Sequence, residues 1–99
     1  MSAIDEKKKS RELTAATAGE VGLRYIAELT TKETEGVTAV QRAEGKWLVT
    51  VEVVEDRRIP SSGDVLGLYQ VELDEEGGLL SYRRLRRYRR ASGDYGEAS

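Results

Sequence analysis

The chain has 99 residues and a net charge of −2, with 34% charged and 38% hydrophobic residues. That is room for one domain with a small core, marginal enough alone to favour a partner or a second copy. It has no Cys, no His, no Phe and one Trp. This excludes thiol nucleophiles, disulfides, zinc sites of the usual Cys/His type and histidine bases.

Residues 1–11 are polar and aperiodic and are expected to form a flexible tail, with Lys7, Lys8 and Lys9 in it. No apolar signal segment follows these lysines, and no run approaches the roughly 18 to 20 apolar residues of a membrane span. A soluble, cytoplasmic protein without cofactor or metal is the expectation. Residues 12–90 are expected to fold as a single α+β domain, and 91–99 as a second flexible tail.

From Glu12 to Thr30 the pattern is helical, with Val21, Tyr25 and Leu29 at i, i+4 and i+8. Gly19 and Gly22 each cost about 1 kcal/mol relative to Ala inside a helix. Thr17-Ala-Gly-Glu20 matches a capping box, which would place the start as late as residue 18. One helix of about 12 to 18 residues is predicted, too short to stand without docking its apolar stripe.

Thr31–Gly36 reads as a polar connector, Val37–Ala43 as a short strand, and Glu44-Gly45 as a hairpin turn. Lys46–Arg58 is the strongest strand: Trp47, Val49, Val51 and Val53 alternate with Leu48, Thr50, Glu52 and Val54. Pro60 and Ser61-Ser62-Gly63 break it. Asp64–Asp74 is the next strand, with Val65, Tyr69, Val71 and Leu73 on one parity and Leu66, Leu68, Gln70 and Glu72 on the other. Glu75-Glu76-Gly77-Gly78 is a hairpin loop, and Leu79–Arg90 returns antiparallel.

The last segment holds the strongest compositional bias: Arg83, Arg84, Arg86, Arg87, Arg89 and Arg90, punctuated by Leu85 and Tyr88. Residues 83–90 contribute six arginines and no acid, so the remainder of the chain carries −8. A regular hairpin register opposes Leu73 to Leu80, Val71 to Tyr82, Tyr69 to Arg84, Leu68 to Leu85, Leu66 to Arg87 and Val65 to Tyr88. Apolar residues then meet apolar ones, which marks the arginine segment as a strand. The predicted architecture is an N-terminal helix packed on one face of a four-stranded antiparallel β-meander. Its core is Val21, Tyr25, Leu29, Trp47, Val49, Val51, Tyr69, Val71 and Tyr82.

The run Trp47-Leu-Val-Thr-Val-Glu-Val-Val-Glu55, then Arg58-Ile-Pro60, Asp64-Val-Leu-Gly-Leu-Tyr-Gln-Val-Glu-Leu-Asp74, Leu80-Ser-Tyr-Arg83 and Arg87-Tyr88 resembles the gas vesicle protein O family. The likeness covers roughly residues 12–90, and its order and spacing make it specific in combination. At Gln70, family members more often carry an acid. The resemblance implies a minor accessory protein that supports assembly of the gas-filled shell through contacts with other gas vesicle proteins. It implies no enzymatic activity and supplies no catalytic residue.

The residues themselves point the same way. Among the carboxylates Glu52/Glu55/Asp56 and Asp74/Glu75/Glu76, an acid–base pair would need a cleft and unequal environments; Glu75 and Glu76 are expected at a solvent-facing loop tip, and the acidic loop matches no calcium loop. The arginines allow three readings. They form a phosphate-binding surface with Tyr82 and Tyr88 stacking bases, which would make this an RNA- or DNA-binding regulator. They pair across strands with Glu52, Glu72 and Asp74. Or they receive an acidic segment of a partner protein. The −8 elsewhere argues against nucleic acid. Leu66, Leu68 and Leu85, with Val54, form a second apolar set, either a docking or dimer patch or a surface covered by 57–63 or the C-terminal tail.

Overall fold

The structure is a computed structural model and describes residues 12–91. The expected tails lie outside the described residues, apart from Ala91. One helix, α1 (Ala15–Thr30), precedes four strands: β1 (Glu33–Ala43), β2 (Lys46–Asp56), β3 (Val65–Leu73) and β4 (Leu79–Arg89). All neighbours are antiparallel and the order is β1-β2-β3-β4, so the α+β meander forms as the pattern predicts.

The capping box of α1 forms one turn before the expected position. Thr14 Oγ1 accepts from the Thr17 amide, and Thr17 Oγ1 accepts from the Thr14 amide at 2.8 Å. Thr17 replaces the usual Glu or Gln at the third helical position, since its hydroxyl also accepts. At the other end Thr31 adopts a left-handed conformation and its N–H reaches the Ala27 carbonyl. Leu13 N–H donates to the Glu75 carbonyl, fixing the helix start to the β3–β4 turn.

The segment 33–36, expected as a connector, belongs to β1. Register shifts between Thr34 and Gly36 and between Val37 and Ala39 bulge this strand, which is why its polar residues give no clean alternation. A two-residue turn at Glu44-Gly45, both at positive φ, joins β1 to β2 as expected.

Val49, Val51, Val53, Val71 and Leu73 are fully buried beneath α1, with Trp47, Tyr69, Ala18 and Ile26 around them. Val21 and Tyr25 pack at the margin, half-buried. Two expected core residues lie outside it: Leu29 is 40% exposed and Tyr82 is 42% exposed. Leu29 stands beside the buried face of the helix, which runs through Ala18, Gly22 and Ile26; for Tyr82 on β4 the reason is the helix's width. A helix about 10 Å across covers two to three strands spaced about 4.8 Å apart. Here α1 packs on β1, β2 and β3, and β4 overhangs.

Gly22 explains how closely helix and sheet approach. A Cβ there would lie 2.6 Å from Val49 Cγ1 and 2.7 Å from Val49 Cβ, whereas one at Gly19 meets nothing nearer than 3.5 Å. Gly22→Ala therefore loses about 1–3 kcal/mol to overpacking, against about 1 kcal/mol returned in helix propensity. Gly19→Ala gains up to about 1 kcal/mol. Urea unfolding of the two variants, read beside the unsubstituted protein, is expected to give these opposite signs.

Candidate interaction surface

The β3–β4 register follows the expected pairing in its first part and departs from it in the second. Glu72 faces Ser81, Val71 faces Tyr82, Gln70 faces Arg83 and Tyr69 faces Arg84. Leu68 then faces Arg86, because a bulge takes up Leu85. Beyond it Gly67 faces Arg87, Leu66 faces Tyr88 and Val65 faces Arg89. A second irregularity pairs Leu73 with Leu79 rather than Leu80. Since side chains alternate, one extra residue reverses the face of everything after it.

The arginines are consequently divided. Arg84, Arg87 and Arg89 lie on the face that carries Tyr69 and α1, and Arg83 and Arg86 lie on the far face. Arg90 follows the strand and donates its N–H to the Asp64 carbonyl at 2.9 Å. Every residue of β4 is exposed except Tyr88, which is half-buried. The apolar anchors expected along the strand do not bury it: Leu80 is 50% and Leu85 41% exposed.

Two arginines are held by acids. On the helix face Arg84 reaches across β3 to Glu55 of β2 at 3.5 Å, and Lys32 joins the same carboxylate at 3.6 Å. The Tyr69 hydroxyl donates to Glu55 at 3.1 Å. Burial, and then Glu55, raises the pKa of that phenol. Gly67 makes room: a Cβ there would run into Glu55 Oε2.

At the far end Arg90 bridges Asp64 at 3.1 Å and Glu35 of β1 at 3.4 Å. Asp64 is fully buried. It accepts the Arg58 N–H at 2.8 Å and an Arg57 guanidinium N–H at 3.3 Å. Arg57 also pairs with Glu33. The Arg58 N–H, with Arg90 and Arg57, holds the Asp64 carboxyl below its ordinary pKa despite its burial. This cluster joins the first and last strands of the sheet. Sequence pattern did not reveal it, because its members are spread from residue 33 to residue 90 with no shared periodicity.

The expected pairing of the arginines with Glu52, Glu72 and Asp74 does not form. Glu72 pairs with Lys46 at 2.7 Å and accepts from Ser81 at 3.0 Å; Lys46, foremost, lowers its pKa. Glu52 accepts the Tyr88 hydroxyl. Asp74 Oδ1 accepts the amides of Glu76 and Gly78 within its own turn. Among the described residues Arg83, Arg86, Arg87 and Arg89 form no ion pair, and Arg86 lies 4.7 Å over the Tyr88 ring.

The far-face apolar set is also rearranged. Leu66 (3% exposed) and Val54 (6%) are core, Leu68 is half-buried, and Leu85 stands apart at its bulge. Tyr88 runs from β4 over β3 to Glu52 of β2, so its ring covers this face.

Among the described residues no cluster of three or more His, Cys, Asp or Glu is placed to hold a metal ion. No helix among them is long and apolar enough to cross a membrane. Among the described residues the domain displays arginine side chains along one edge of its sheet.

The family model described as gas vesicle synthesis protein GvpO matches residues 2–94, and the chain belongs to that family. It is 46% identical over 69 residues to gas vesicle protein O of Streptomyces sp. (strain CB03234), covering 70% of this chain and 54% of that protein. Against gas vesicle protein O of Haloferax mediterranei the identity is 39% over 64 residues, 64% of this chain and 46% of the other. Against gas vesicle protein O1 of Halobacterium salinarum it is 38% over 56 residues, 57% of this chain and 47% of the other. The matched segments thus span about half the length of these curated relatives. No solved structure matches.

The sign of the Asp64 effect on stability follows from its lowered pKa in the folded state. Its contribution is fully present above the unfolded value of about 3.9 and is lost as pH falls through the folded one. Asp64→Asn keeps an acceptor for the Arg58 amide but removes the charge facing Arg57 and Arg90. The variant is expected to be less stable at neutral pH and to lose less on acidification below about pH 4. Urea midpoints measured across that range check it; parallel curves for the two proteins would count against the assignment.

Proposed function

We propose that this protein is a non-enzymatic accessory factor in gas vesicle formation, a soluble, cytoplasmic and vesicle-associated protein that binds another gas vesicle protein through β4. Membership of a gas vesicle synthesis family supplies the process. The observation that carries the rest is the set Arg83, Arg86, Arg87 and Arg89. These four guanidiniums stand on an exposed strand without an ion pair among the described residues, while the acids around them are taken by other groups. Exposed cross-strand pairs contribute under about 1 kcal/mol each, so stability alone gives little reason for six arginines here. An acidic partner gives one, through bidentate guanidinium–carboxylate contacts. Leu85, exposed between Arg84 and Arg86, adds apolar contact at the same place.

The same arginines also serve the nucleic-acid reading, but one of its two stacking rings is taken. Tyr88 is capped by Arg86 and tied to Glu52, which leaves Tyr82 as the exposed ring. Binding to RNA or DNA would weaken steeply with salt.

Reversing Arg83, Arg86 and Arg87 to Glu tests the proposal without touching the Glu55 and Asp64 clusters. The expected outcome is a folded protein by circular dichroism that no longer pulls down its gas vesicle partner and no longer supports vesicle formation in cells. Unchanged pull-down and vesicle yield would sink the basic-surface reading.

A further inference from the structure

The manner of binding is open to a sharper reading, which rests on the acidic-partner proposal above. The arginines without an ion pair among the described residues point to both faces of the sheet: Arg83 and Arg86 to one, Arg87 and Arg89 to the other. A helix or a nucleic-acid strand laid on either face meets only half of them. A chain running in the plane of the sheet alongside β4 meets both sets, because its own side chains alternate between the same two faces. The hydrogen-bonding partners for such a chain are present. β4 pairs only with β3, so the outer row of its N–H and C=O groups has no partner strand among the described residues.

The opposite edge of the sheet is different. Bulges in β1 interrupt it, and Glu33, Glu35 and Arg42 are already paired with Arg57, Arg90 and Glu75. A second copy presenting its own β4 would set arginine against arginine, which is destabilising across a strand pair. The arginine row thus repels its own kind and admits an extended acidic segment.

We infer that β4 is an acceptor edge for β-strand addition, and that the partner contributes an extended acidic segment with carboxylates on both of its faces as a fifth strand. Main-chain hydrogen bonds would give this contact its affinity and the alternating carboxylates its selectivity.

A synthetic peptide of about ten residues, matched to the length of β4 and built from Glu and Val so that carboxylates face both ways when extended, is the probe. Its companion carries the same side chains with every second amide N-methylated on the bonding edge. Binding is read by fluorescence anisotropy, and exchange of the β4 amides by nuclear magnetic resonance. The unmethylated peptide is expected to bind and slow exchange along β4, and methylation to weaken it by about tenfold or more as several backbone bonds are lost. Equal binding of the two peptides would overturn strand addition while leaving the acidic-partner reading in place. Binding of neither overturns strand addition, and the charge-reversal variant above then decides the broader reading separately. Tighter binding of a polyuridine RNA than of the acidic peptide would overturn both.

Discussion

The width of one helix governs the rest of this structure. Among the described residues α1 is the single element that covers a sheet face, and it spans β1 to β3. Its close seating at Gly22 and Val49 concentrates the apolar core on those three strands. β4 receives no such cover from the described residues, among which it is held by its ladder with β3 and by polar side chains that reach back across the sheet. Those reaches are long. Arg84 and Tyr88 each cross β3 to find an acid on β2, one over each face, and Arg90 goes as far as β1.

These cross-sheet contacts do for the last strand what a second helix would do in a larger domain. They do so at a different energetic scale. An exposed ion pair offers a fraction of what an apolar side chain gains on burial. The buried ends are the ones that matter: Asp64 has no exposed surface and Glu55 almost none, so each is a carboxylate withdrawn from water whose partners must be in place. Among the described residues this arrangement leaves four arginines without an ion pair while two are committed to architecture. A compositional run of six therefore divides into structural and displayed members.

Much of the fold was legible in the sequence because its two periods are clean. The alternation from Trp47 to Val53 and from Tyr69 to Leu73 marks the buried face, and Val21, Tyr25 and Leu29 mark a helix. What escaped was local phase. Alternation assumes one residue per step, so the bulges at Glu35, Thr38, Glu55 and Leu85 are invisible to it until the partner strand is known. Val53-Val54-Glu55 did carry a hint, two apolar residues in succession followed by an acid. Leu29 and Tyr82 were misplaced for another reason: their periodicity says which way they point, and only the helix's position says whether anything lies there. The arginine strand was legible as a strand, but the division of its side chains depended on a single bulge that composition does not encode.

That bulge also fixes which kind of change this segment tolerates. Substituting one arginine alters one contact and leaves its neighbours where they are. Removing Leu85 would take out the extra residue and leave a regular ladder, with Leu68 still facing Arg86 and Leu66 still facing Tyr88. Adding a residue between Arg86 and Arg87 with the bulge kept would instead set Tyr88 against Val65, away from Glu52, and turn Arg87 to the far face. In this strand the count of residues carries information that their identities do not. Its tolerance to mutation is expected to be wide for substitution, narrow for insertion, and wider for loss of the bulged residue itself.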